Sequence, residues 1–207
     1  MDWSELERRQ PRLAELGRKR LLDPGVVLIG TIRRDGTPRL SPVEPWIMDG
    51  ALWLSMMLRS TKAADLLRDP RILVHNAVSN RDGHDGEFKL RGRARDETDA
   101  AVQRRYAAEV AESLGWAPVP GKFHLFEIEF NDVTYVRYDG PTGDQYVAQW
   151  PPVREYVRRA TSPTSVGKPE PVSEILELGR PGVQPGAARR IEPAISERAL
   201  REVVALI

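Results

Sequence analysis

Arg59-Ser60-Thr61-Lys62 is where ligand-binding chemistry is densest in this chain. Two hydroxyls and two cations stand directly before AADLLRDP, a short helix-forming run stopped by Pro70. A helix N-terminus offers unpaired N–H groups and the positive end of a dipole, so this set suits an anion such as a phosphate monoester. Taken alone, Ser60 and Thr61 read first as ordinary helix caps, and as phosphate ligands only second. The remaining polar clusters say less. Asp82, His84 and Asp85 sit in the glycine-containing loop SNRDGHDG (79–86), a composition that reads as a solvated turn rather than a metal site. Glu127 and Glu129 share the wet face of an amphipathic strand, and His75, His84 and His124 have no motif around them. There is no GxSxG, Walker or GxGxxG pattern. With no cysteine, thiolate catalysis, thiolate metal ligation and disulfides are excluded.

These residues need elements to position them. Asp35-Gly36 and Asp49-Gly50 supply the positive φ angles of short hairpin turns, and the runs beside them are rich in β-branched and aromatic residues. The pattern predicts strands over Val26–Arg33, about Thr37–Met48, and Ala51–Met57. Prolines 38, 42 and 45 make the second of these an edge or bent segment, with Arg39, Ser41 and Val43 on one face. Further strands are expected over Arg71–Val78 and Glu87–Arg95. HLFEIEF, before a bulge or turn at Asn131-Asp132, gives the clearest period-two signal, and VTYVRY and QYVAQW follow. Thr98 or Asp99 caps a helix whose stripe is Val102, Tyr106, Val110 and Leu114. Seven or eight short strands with few helices predict a mainly β fold, a small antiparallel barrel.

At 207 residues and 41% hydrophobic content the chain can bury one domain with appendages. Three segments are expected: a helical stretch over 1–22, a barrel over 23–150, and a Pro/Gly-rich extension with short helices over 151–207. In the first, Ser4 and Glu7 have capping-box spacing, and its arginines, interspersed with glutamates, read as a solvated face. In the last, the closing stripe of Leu200, Val203, Val204 and Ile207 needs an apolar partner, and a lid over the site is one expectation. A formal charge of +1 implies no nucleic-acid or membrane partner. No run approaches a membrane span and no signal-peptide core is seen, so the expected location is cytoplasmic.

The order GTIRRDGTPRLSPV, then a glycine turn and strand, then RSTKAADLLRDPRILVHNAV, resembles the pyridoxamine 5′-phosphate oxidase-like, FMN-binding split-barrel proteins over about residues 20–140. The resemblance implies a split antiparallel β-barrel that forms a homodimer, with FMN, or the deazaflavin coenzyme F-420, at each of two subunit interfaces. It implies hydride transfer to or from a small organic substrate, with the chemistry carried by the cofactor and no catalytic side chain named. A non-enzymatic protein holding a flavin, deazaflavin or heme is the rival reading. Carried over residue by residue, Arg39, Ser60, Thr61 and Lys62 would hold the phosphate, and Ser41 and Val43 would run beside the ring. Ser55 and Met56 would touch the ring or ribityl chain, and Lys89 would reach in from the neighbouring subunit. Trp46, Trp53, Met56 and Met57 are the candidates for the dimer surface. Two departures are visible. Glu44 stands where pyridoxamine phosphate oxidases carry a lysine, and their C-terminal Arg-x-His signature is absent.

Overall fold

A computed structural model describes residues 1–78, 83 and 85–172. Ten antiparallel strands make one sheet, in the order β10-β9-β8-β7-β6-β5-β1-β2, with β4 joined to β7 and β3 to β4. β1 (Val27–Ile32) turns at Gly36, φ 84°, into β2 (Pro38–Val43). The expected second strand is in fact two. Glu44 and Pro45 break it, and β3 (Pro45–Met48) leaves β1 behind to pair with β4 (Ala51–Met57) across a turn in which Asp49 and Gly50 both have positive φ. Pro45 cannot donate to a ladder and disfavours helical geometry at Glu44, so the chain bends there and changes partner.

That bend makes the barrel split. β2 pairs with β1 alone, while β4 pairs with β3 and β7, so no ladder joins β2 to β4. Helix α3 (Thr61–Arg68) follows β4 and packs beside β1 and β4. β5 (Arg71–Asn76) and β6 (Glu87–Glu97) continue the wall. β7 (Phe123–Tyr138) is a single strand through Asn131-Asp132, where an extra residue forms a bulge opposite Arg91 and Gly92. Its first half serves β4, its second half β8 (Gln145–Trp150), and β6 lies along both.

Phe88, Leu90, Phe126, Phe130 and Leu54 fill the barrel, all fully buried. The N-terminal segment closes one end: α1 (Trp3–Arg9) and α2 (Pro11–Gly17) are followed by a π-helical turn over Arg18–Leu22, and Trp3, Leu6, Leu13 and Leu21 enter the same core. The cap of α1 is Asp2, whose carboxylate accepts from Glu5 N–H, not Ser4; Glu7 instead accepts from Trp3 Nε1 and from Arg18. A smaller core lies under α4 (Ala100–Leu114), where Tyr106 and Val110 meet Trp53, Phe123 and Leu125. Leu114, expected in the α4 stripe, is exposed, and Gln103 is buried there instead. Trp53 and Met56, expected on a dimer surface, are buried within the single chain.

Residues 154–171, expected to belong to an extension with short helices, form β9 (Arg154–Ser162) and β10 (Ser165–Pro171) and extend the sheet from β8. Val172 bonds back to the Glu155 carbonyl. The expected helical patches beyond it, the lid, and His84 lie outside the described residues. No helix among the described residues is long and apolar enough to cross a membrane.

Candidate functional site

The gap between β2 and β4 holds a cleft of about 460 Å³. Pro42 and Val43 form one wall, Ser55 and Met56 another, and Lys62 projects from the first turn of α3. A shallower hollow of about 330 Å³ adjoins α3 and the β1–β2 turn, lined by Arg33, Arg34, Arg39 and Thr61. Ser60 stands at the helix start, where the two are closest in sequence. The nine residues singled out from sequence are thus divided. Val43, Ser55, Met56 and Lys62 line the cleft, Arg39 and Thr61 line the hollow, Ser60 lines neither, and Ser41 is half-buried on the same face of β2 as Arg39 and Val43. Lys89 is in neither. It lies on β6 opposite His75 and its ammonium pairs with Glu87 at 2.8 Å.

The start of α3 is polar in an unusual way. Ser60 has the extended backbone of an N-cap, φ −65° and ψ 142°, yet its side chain makes no capping bond. Its Oγ is buried and has no hydrogen-bond partner among the described residues. A buried hydroxyl without a partner costs about 1–3 kcal/mol, so a ligand atom at that point is the natural complement. Arg59, just before it, has φ 61°, a left-handed conformation that a side-chain-bearing residue adopts at a cost of order 1–2 kcal/mol. Lys62 Nζ donates to the Pro42 carbonyl at 2.8 Å, tying α3 across the split to β2. Burial pushes the Lys62 ammonium below the usual lysine range, and the nearby Glu44 carboxylate partly offsets this.

Arg39 is held from behind. Its Nε donates to Asp65 Oδ2 at 2.7 Å, which leaves the terminal N–H groups of the guanidinium out of that bond. Asp65 also accepts from Thr31 Oγ1 at 3.1 Å and pairs with Arg68 at 3.4 Å. Burial alone would push the Asp65 carboxyl up, but the bonds from Arg39 and Thr31 and the charge of Arg39 hold it below the ordinary carboxylate range. Sequence reasoning missed Asp65. Its signal was an acid between Ala63 and Leu66, two apolar residues on the buried face of a short helix. Also missed was the segment after α4, whose Trp116, Pro118, Val119 and Lys122 border the cleft.

Set against a flavin mononucleotide, the residues fit: an orphaned hydroxyl and a lysine stand at a helix N-terminus beside a cleft with apolar walls, and a braced arginine lines the adjoining hollow. Neither His75 nor His124 lines the cleft or the hollow. Among the described residues no cluster of His, Asp or Glu could hold a metal ion.

The family model of pyridoxamine 5′-phosphate oxidase matches residues 13–137, more than half of the chain. The chain therefore belongs to the pyridoxamine 5′-phosphate oxidase family, and its mainly antiparallel β structure is that family's split barrel. Similar solved structures include a conserved hypothetical protein of Mycobacterium tuberculosis, 20% identical over 60% of this chain and 81% of that one, with a TM-score of 0.49. General stress protein 26 of Bacillus anthracis is 18% identical over 58% and 91%, TM-score 0.47. The heme storage protein HutZ of Vibrio cholerae is 14% identical over 59% and 89%, TM-score 0.48. No curated protein matches the sequence.

Proposed function

We propose that this protein is a flavin-dependent oxidoreductase that binds FMN in the split between β2 and β4 and passes hydride between it and a small organic substrate. One observation carries the reading: the buried Ser60 hydroxyl at the start of α3, without a partner among the described residues and two residues before Lys62, which lines an apolar cleft. Arg39, Ser60, Thr61 and Lys62 hold the phosphate, whose dianion favours charge-assisted bonds from this donor set. Ser41, Val43, Ser55 and Met56 flank the ring and ribityl chain, and Lys89 completes the site from a second subunit. The flavin when bound supplies the hydride chemistry. The chain's own part is to seat the phosphate, orient the ring against Pro42 and Val43, and keep water from its buried face. Membership of the family supports a homodimer, in which the bare edge of β2 would be covered. A cytoplasmic location belongs to the same proposal, and a cysteine-free chain needs no oxidising compartment to fold.

The absorbance spectrum of the purified protein, followed by titration with FMN and with coenzyme F-420, tests the reading. Flavin bands, or tighter binding of added FMN, support it. Preference for F-420 would move the same site to deazaflavin chemistry, and a Soret band would make it a heme protein. Light scattering with and without FMN tests the shared site: a monomer that binds FMN fully would refute it.

A further inference from the structure

We propose that the segment Trp116–Lys122 builds a second subsite in the same cleft, one that takes an apolar ring system against Trp116 and Val119 and an anionic group on Lys122. It rests on the flavin reading only in calling that ligand the substrate. The segment WAPVPGK links α4 to β7 and is pinned at both ends. Gly115 ends α4 with φ 73°, its N–H bonded to Ala111. At the far end the buried Gln103 accepts from Gly121 N–H at 2.9 Å and donates to the Glu97 carbonyl at 3.0 Å. A buried glutamine satisfied on both sides of its amide holds the segment against α4. Pro118 and Pro120 remove further backbone freedom, so little ordering entropy remains to be lost when a ligand binds.

What this pinned strap offers to the cleft is apolar and bare. Trp116 is 51% exposed and Val119 64%, and Met57, 77% exposed, faces them from the end of β4. Large apolar side chains scattered singly over a surface need no explanation, but three around one cleft mark a binding surface. The charges in the cleft are already sorted. Lys62 is bonded to Pro42 and has Glu44 beside it, whereas the Lys122 ammonium has no partner among the described residues, its backbone N–H alone bonding to the Val119 carbonyl. An apolar carboxylate or sulfonate complements that arrangement, with its ring on Trp116 and its anion at Lys122. A cationic ligand would gain only Glu44, which Lys62 already neutralises in part.

Calorimetric titration of the full-length protein, as purified and saturated with FMN, tests the subsite with two probes of similar shape. One is the anion 1-anilinonaphthalene-8-sulfonate, the other the neutral N-phenyl-1-naphthylamine. Trp116→Ala should weaken both by about tenfold, since a large aromatic contact is removed. Lys122→Ala should weaken only the anionic probe, and Lys122→Arg should restore it. FMN affinity should stay unchanged in all three variants, and their exposure predicts unaltered thermal midpoints. Probe affinities equal to those of the unsubstituted protein would overturn the subsite. So would an FMN affinity that falls in step with the probes, because the strap would then belong to the cofactor. If the protein binds no flavin but the probe pattern holds, the cofactor reading fails and the subsite stands.

Discussion

Replacing Asp65 by alanine tests how the split barrel and its proposed anion seat are held together. Asp65 is the one buried carboxylate of α3, and it gathers Thr31 of β1, Arg39 of β2 and Arg68 of its own helix. Losing it strands the Thr31 hydroxyl, which is 1% exposed, at about 1–3 kcal/mol. The Arg39 pair adds less than a fully buried ion pair would, because that side chain is 23% exposed and water screens it. The 3.4 Å contact to Arg68, more exposed still, adds little. The expected loss is about 3 kcal/mol, or a thermal midpoint lower by about 6–12 °C. Urea titration at pH 7 should show a lower midpoint with an unchanged slope. FMN titration of the same variant should show weaker binding, since Arg39 has lost its brace. Asp65→Asn, which keeps an acceptor for Thr31, should recover part of the stability. A loss for Asp65→Ala below about 0.5 kcal/mol, the size of an ordinary surface change, would refute the reasoning.

Three further outcomes are expected. Lys62→Ala removes both a proposed phosphate ligand and the tie to Pro42, and should weaken FMN by at least about tenfold in a fluorescence titration; unchanged affinity would take Lys62 out of the seat. Gly92→Ala should cost about 3 kcal/mol in urea, because a Cβ there would overlap the Glu129 carbonyl oxygen and lie 2.6 Å from Phe130 Cα at the β7 bulge. Stability should also fall on acidification. Asp65 and Asp144 have folded-state pKa values below the ordinary carboxylate range, and Arg71 holds Asp69 at about 2. Groups depressed in this way stabilise the fold above their unfolded pKa, near 4, and lose that contribution as pH falls through the folded value. Urea midpoints should therefore drop between about pH 4 and pH 2, less steeply for Asp65→Asn; parallel curves for the two proteins would contradict the role of Asp65.

Local signals in the sequence determined the pieces. Asp49-Gly50 made a hairpin turn because both residues tolerate positive φ, and Ala51–Met57 formed the strand its β-rich composition required. Alternation in HLFEIEF placed Phe126, Ile128 and Phe130 inward, and Asp99 and Gly115 bounded α4 as their side chains and φ preferences dictate. The hydroxyls and lysine at the start of α3 were visible as a helix start for the same reason: helix ends are local. What the sequence could not determine was which strands would meet. Proline 45 announced a bend, but only the pairing of β3 with β4 turned that bend into a split in a barrel. Arg39 and Asp65 stand 26 residues apart, and nothing between them says that they share a hydrogen bond. Trp116 and Lys122 likewise look like an ordinary loop until α4 and β7 bring them to the cleft. Residues 154–171, rich in charge, read as an extension; strand edges left open by β8 drew them into the sheet, because an unpaired row of backbone groups accepts a partner with little regard for its side chains.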